Sequence, residues 1–306
     1  MARGRWIAAL LLGMLFSSVQ ADNSPNERQA NFASGNNSAH GLLRGRVYFG
    51  DKASLGDGTI QTYVTMRRGK PRSVGVLFSE TMLDNLPDAP FDGNNCYDVD
   101  GDGELNVSVH PFECMGGHQR ILFMPPQASD TPFSWVLLNW NLLGHDPEGV
   151  YLYRPHFDFH FYIQDYLDRN FIRPGPCALL IHCEDFLTAT IPVPAQYMPP
   201  DYVDVGAAEV RMGNHLVDLT SPEFQPGGEF THTFIYGSYG GEITFWEPMI
   251  TVNTLRDRPR NLCTPIKQPA EYQVEGYYPT EYCIRYYPRA RSYTVSMDKM
   301  VYRNGT

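Results

Sequence analysis

Between residues 155 and 162 the chain reads Pro155-His156-Phe157-Asp158-Phe159-His160-Phe161-Tyr162. Along a β-strand successive side chains point to opposite faces. A strand here therefore lines one face with His156, Asp158 and His160 and the other with Phe157, Phe159 and Phe161. Imidazoles suit zinc, copper, iron or nickel, and two histidines with one carboxylate form a common set for non-haem iron. Same-face neighbours are separated by about 6–7 Å of strand rise, so His156 and His160 lie further apart still. Twist or a bulge has to bring them together. The competing structural reading is a hydrogen-bonded polar cluster of buried histidines.

Further donors follow. His215 ends Met212-Gly213-Asn214-His215, ahead of Asp218 and Glu223, and Glu247 sits among aromatics in Phe245-Trp246-Glu247-Pro248-Met249. His145 precedes the strand in Gly144-His145-Asp146-Pro147. The expectation is that His156, His160 and His215 meet in one pocket with Asp158 and Glu247 and hold a divalent transition metal. Their second nitrogens would find carboxylate or carbonyl partners, with Asp158, Asp218 and Glu247 the nearest candidates along the sequence, because metal-binding imidazoles usually donate their other N–H to an oriented partner. Ligation needs neutral imidazole, so affinity is expected to fall below about pH 6.5.

A second motif is Asp98-Val99-Asp100-Gly101-Asp102-Gly103-Glu104-Leu105-Asn106. Oxygen donors at alternate positions followed by glycine match the first half of an EF-hand calcium loop. Asp98, Asp100, Asp102, Glu104 and Asn106 are the candidate Ca²⁺ ligands, with Glu104 acting through its carbonyl. The twelfth position is Val109 rather than glutamate, so Glu113 is the candidate for the missing carboxylate. The alternative is a solvated acidic turn, in which three aspartates in five positions repel one another.

The elements around these residues read as β structure. Strands are expected at Arg46–Phe49, Ile60–Met66, Arg72–Leu77, Gln119–Met124, Phe133–Asn141, His156–Ile163, Glu229–Tyr236 and Glu242–Phe245, with hairpins at Gly69 and around Gly237–Gly241. Ser79 would cap a short helix before Pro87, and another short helix would follow near Gln164–Asn170. The fold class is mainly β, an antiparallel barrel or sandwich, cupin-like in the barrel form, with few short helices. Residues 46–260 form the core domain and 88–118 are its calcium-loop insertion. Residues 261–306 are a tyrosine-rich extension packed on the core.

The amino terminus reads as a secretory signal. Arg3 and Arg5 precede an apolar run from Trp6 to Phe16, and Val19-Gln20-Ala21 supplies small residues at a cleavage position. Residues 22–45 read as a flexible polar leader. Removing 1–21 leaves 285 residues and moves the net charge from −10 to −12, since the segment carries two arginines and no acid. An acidic surface without a basic stripe argues against nucleic acid as a partner. No later segment approaches 18 consecutive apolar residues, which argues against stable membrane insertion. The protein is expected to be secreted or periplasmic.

All six cysteines follow the signal: Cys96, Cys114, Cys177, Cys183, Cys263 and Cys283. An even count in an oxidising compartment implies three disulfides. Six cysteines allow 15 connectivities. Proximity along the chain suggests Cys96–Cys114, Cys177–Cys183 and Cys263–Cys283.

Taken in order, Leu55-Gly56-Asp57-Gly58-Thr59, Gly144-His145-Asp146-Pro147-Glu148-Gly149-Val150-Tyr151, the His156–Tyr162 strand, Met212–His215, and Phe234-Ile235-Tyr236-Gly237 with Glu247-Pro248-Met249 resemble an uncharacterised family of exported bacterial proteins, relatives of a ring-forming Thermus protein. The resemblance covers roughly residues 46–257. It implies a β-rich body, export and a capacity for homo-oligomerisation, and it carries no particular activity across. Residues 88–118 and the cysteine-bearing tail fall outside it. Neither a GxSxG nucleophile elbow nor an HExxH motif occurs, which removes two common enzyme classes. Two readings stand: a metalloprotein, enzyme or not, with an unidentified small-molecule ligand, and a non-catalytic binding or structural module whose histidines form a polar core.

Overall fold

The computed structural model describes Leu43, residues 45–106 and residues 112–306. The expected signal (1–21), nearly all of the expected leader and Val109 lie outside the described residues.

Three strands open the fold as a meander: β1 (Arg46–Leu55), β2 (Gly58–Arg67) and β3 (Lys70–Ser79). Arg68 and Gly69 both have positive φ, at 53° and 75°. This is the backbone of a two-residue hairpin turn whose twist matches its flanking strands, and it is why glycine suits the second position. The expected capped helix after β3 is a single 3-10 turn, Glu80–Leu83. Ser79 makes no cap; its hydroxyl accepts from the Thr59 amide instead (3.1 Å).

The next strands, β4 (His118–Phe123), β5 (Trp135–Asn141) and β6 (His156–Tyr162), build a second sheet. A short helix α1 (Tyr166–Arg169), strand β7 (Pro174–Cys177) and helix α2 (Cys183–Ala189) lead to β8 (Tyr202–Glu209) and β9 (Gly213–Asp218). The hairpin of β10 (His232–Tyr239) and β11 (Glu242–Thr251) returns the chain to β6, and helix α3 (Val252–Arg256) follows. The second sheet has the order β4-β5-β6-β11-β10-β9-β8.

The carboxy-terminal strands are β12 (Leu262–Pro265), β13 (Gly276–Tyr278), β14 (Glu281–Tyr287), β15 (Ser292–Asp298) and β16 (Val301–Arg303). The first sheet runs β1-β2-β3-β15-β14-β12, so residues 261–306 supply three of its six strands; β13 and β16 form a separate pair.

The two large sheets are antiparallel and pack face to face. Their shared core includes Val64, Val76, Phe78, Tyr293 and Val295 from the first, with Val136, Phe157, Phe159, Phe161 and Trp246 from the second. Fully burying a side chain of this size contributes about 1.5–3 kcal/mol. The mainly β sandwich of the sequence reading is what forms; among the described residues neither sheet closes into a barrel. The six cysteines form Cys96–Cys114, Cys177–Cys183 and Cys263–Cys283. No described helix is long and apolar enough to cross a membrane.

Candidate metal centre

All seven residues of β6 are buried. Phe157, Phe159 and Phe161 face the first sheet, as period-two alternation requires. His156, Asp158 and His160 take the opposite face, beneath loops that carry Phe91, Phe112, His145, Tyr151 and Leu179. Between this face and its roof lies a cavity of about 430 Å³, within the range of small-molecule sites. Asp158, His160, His215, Glu247, Glu209 and His145 all line it.

The pairing of strands brings the first group of donors together. β11 lies beside β6, β10 beside β11, and β9 beside β10, with Ile235 opposite Glu247 and Gly237 opposite both His215 and Phe245. A Cβ at Gly237 would lie 2.1–2.3 Å from the Phe245 ring. Glycine here lets that ring lie across the strand, against His160 (centroids 4.9 Å) and His215 (5.2 Å).

His160 Nε2 is 3.3 Å from Glu247 Oε1, and His215 Nε2 is 3.9 Å from Glu247 Oε2. One donor atom of each of the three lies within 4.8 Å of the others. Donors about 2.0–2.2 Å from a tetrahedral ion stand roughly 3.3–3.6 Å apart, so these separations suit one ion.

The hydrogen bonds fix which nitrogens are available. His160 Nδ1 donates to the Leu137 carbonyl (3.3 Å) and His215 Nδ1 to the Ala207 carbonyl (2.9 Å). A carbonyl only accepts, so the protons sit on Nδ1, and in a neutral ring Nε2 carries a lone pair. Both lone pairs are directed toward Glu247. His160 Nε2 and Glu247 Oε2 are buried with no hydrogen-bond partner among the described residues. Orienting imidazoles through backbone carbonyls is a known way of preparing metal ligands.

Burial dominates the titration of this group. It lowers His160 to about 3 and His215 to about 4, so both rings are neutral at physiological pH. It raises Glu247 well above the usual carboxyl range, reinforced by the charges of Asp158 and Glu209. Burial thus keeps both imidazoles in the neutral, ligating form below the ordinary imidazole range.

His156 does not join this group. Its Nε2 is 3.2 Å from Asp158 Oδ1, and its neighbour is His145, with ring centroids 4.8 Å apart. The expected pocket of His156, His160 and His215 therefore divides in two, because strand rise keeps residues four apart on a regular strand from sharing an ion. The second nitrogens take the carbonyl partners that the sequence reading allowed, rather than Asp158, Asp218 or Glu247. Asp218 is held by Lys267 (2.6 Å) and Glu223 accepts from the Tyr151 hydroxyl (3.2 Å).

Glu209 was not anticipated. It is 7% exposed and its Oε1 lacks a partner among the described residues. Burial raises its carboxyl to about 7, helped by the Asp158 charge and opposed by His145. The available signal was an acid in the otherwise apolar stretch Ala207-Ala208-Glu209-Val210.

The acidic loop is a separate region. Carboxylate oxygens of Asp98, Asp100 and Glu113 lie within 4.8 Å of one another. Asp98 accepts from the Gly101 and Gly103 amides (2.7 and 2.9 Å), and Asp102 Oδ1 from the Glu104 amide (2.8 Å). Glu113 accepts from the amides of Asn106 and Val99, which hold its carboxyl below the usual range. Asp102 is outside the close group, and the Glu104 side chain is exposed. Comparison with known proteins returned no match to a family model, a curated protein or a solved structure.

Proposed function

We propose that this is an exported metalloprotein in which His160, His215 and Glu247 hold one divalent transition metal at the floor of a cavity that admits a small, largely apolar molecule. The observation that carries this reading is the paired commitment of both Nδ1 atoms to carbonyls, which leaves two lone pairs, that of His160 fully buried, facing a buried carboxylate. A cation between them turns mutual repulsion into ligation. Two histidines and one glutamate serve zinc or non-haem iron and leave positions open toward the cavity. Met212, Met249, Phe224 and Ile235 give that cavity apolar walls. Glu209, with its carboxyl near 7, can exchange a proton with a bound molecule at neutral pH. Export is supported by the amino-terminal sequence and by the three disulfides, and homo-oligomerisation by the family resemblance.

A polar-core reading has one observation in its favour. A protonated Glu247, consistent with its raised pKa, could donate to His160 across the 3.3 Å contact without any ion. Elemental analysis of protein exported through an oxidising compartment separates the two. The expected result is that Glu247→Gln and His215→Ala each carry one transition-metal ion per chain fewer than wild type. Protein that carries none and takes none up after chelation and reloading would establish the polar core instead.

We also assign Ca²⁺ to Asp98, Asp100 and Glu113. Their crowded carboxylates and the amide-bound turn around Gly101 and Gly103 support it. Binding to the native state alone should raise the melting temperature with Ca²⁺ concentration. An unchanged Ca²⁺ response in Asp100→Ala would refute the assignment.

A further inference from the structure

Another set of donors, two of which line the same cavity, plays no part in the centre just described. His145 Nε2 lies 3.7 Å from Asp158 Oδ2, and His156 Nε2 lies 3.2 Å from Asp158 Oδ1. One donor atom of each residue falls within 4.8 Å of the others. The remaining nitrogens are again committed to backbone carbonyls: His145 Nδ1 to Asp146 (2.9 Å) and His156 Nδ1 to Arg154 (2.6 Å). Those nitrogens must donate, so the Nε2 lone pairs of the neutral rings face the carboxylate.

Asp158 is fixed from its other side. Asn141 Nδ2 donates to Oδ2 at 2.6 Å, which leaves Oδ1 without a hydrogen-bond partner among the described residues, as is His156 Nε2. His156 is fully buried and Asp158 is 4% exposed. Two unpartnered, buried acceptors 3.2 Å apart are costly unless something positive lies between them.

We propose that His145, His156 and Asp158 form a second site for a divalent transition metal, separate from the first. The two sites differ in access. His156 sits at the buried end, whereas His145 is on the loop before β6 and keeps a quarter of its side chain exposed, so the second cation enters past His145. They also differ in spacing from a bridged centre. Asp158 and His160 are successive residues on one face, about 6–7 Å apart along the strand, whereas metals that share an oxygen ligand stand about 3.5–4 Å apart. Two independent ions in one cavity follow, and neither requires the other.

The structural alternative is an imidazolium of His145 paired with Asp158. Titration with Co²⁺, in Ca²⁺ sufficient to saturate the acidic loop, distinguishes them through the ligand-field absorption and the number of ions bound per chain. Wild type should bind two. His145→Ala and Asp158→Asn should each bind one, and His160→Ala should bind one at the other site. Because His145 is partly exposed, its alanine variant should fold, which circular dichroism checks. Two ions retained in both His145→Ala and Asp158→Asn would overturn the proposal. So would a single ion in wild type that only His160→Ala abolishes. A single ion kept in His160→Ala and lost in His145→Ala would instead support this site and refute the first.

Discussion

The centre of the seven-stranded sheet is buried on both sides, and the two sides of β6 are made of different chemistry. Toward the first sheet, Phe157, Phe159 and Phe161 are each fully buried within one continuous apolar core. Toward the cavity, His156, Asp158 and His160 are as deeply buried, yet they are packed among unpartnered nitrogen and oxygen atoms. Burial itself therefore does not distinguish stabilising residues from functional ones. The aromatic face gains free energy from leaving water. The polar face loses solvation and recovers it only through exact partners, which is why its unpartnered atoms point to a ligand.

Apolar groups also frame the polar face. Trp135, Leu137, Tyr162, Met212 and Phe245 form one cluster on this side of the sheet, and Tyr151, Val217, Phe230, Ile235 and Met249 form another. Both keep bulk water from the donors and so lower the local dielectric. The raised Glu247 and lowered His160 and His215 pKa values result from that exclusion.

The largest effect that would test this contrast is expected from the aromatic face. Phe159→Ala should cost about 3–5 kcal/mol, the usual range for a large buried aromatic, while metal stoichiometry stays unchanged in the folded protein. Denaturant unfolding and elemental analysis of the same sample measure both. Loss of metal in folded Phe159→Ala would show that the two faces are coupled.

A smaller effect is expected from Gly237→Ala. The new methyl would displace the Phe245 ring that rests on both imidazoles. Overpacking of this kind costs about 1–3 kcal/mol, and metal affinity should fall with it because the ligands are no longer held. A stability loss with unaltered affinity would mean that Phe245 packs without positioning.

The mildest test is the pH dependence of the metal-free protein. Glu209 and Glu247 have raised pKa values, so their contribution is complete below about 4.5 and is lost as pH rises, through about 7 for Glu209. His145, raised to about 9 by Asp158 against the effect of burial, adds loss in the same direction above about 6.5. His160 and His215 have lowered values, so their contribution is complete above about 6.5 and is lost as pH falls toward about 3 and 4. The site's contribution should be nearly flat between about pH 4.5 and 6.5 and decline on either side, by at most about 1.4 kcal/mol per pH unit for each group. Bound cation should remove the Glu247 share of the alkaline decline. A metal-free protein that becomes more stable from pH 6.5 to 8 would contradict this account.

Much of the fold was legible locally. The hairpins at Gly69 and at Gly240-Gly241 follow from glycine punctuation between apolar runs, and the division of β6 into aromatic and polar faces follows from a period of two. The three disulfides join cysteines that are neighbours along the chain, so proximity suggested them although counting could not select them. The DxDxDG spacing likewise identified the loop that gathers Asp98 and Asp100, and suggested Glu113.

The sequence by itself thus determined which residues share a face of each strand, because that depends on backbone geometry over a few residues. The tertiary structure alone decided which strands lie side by side. β15 pairs with β3 across more than two hundred residues, and β11 pairs with β6 across some ninety. Those pairings place Glu247 and His215 with His160 and leave His156 to Asp158 and His145. They depend on burying one sheet against the other over the whole domain, and no local spacing encodes that.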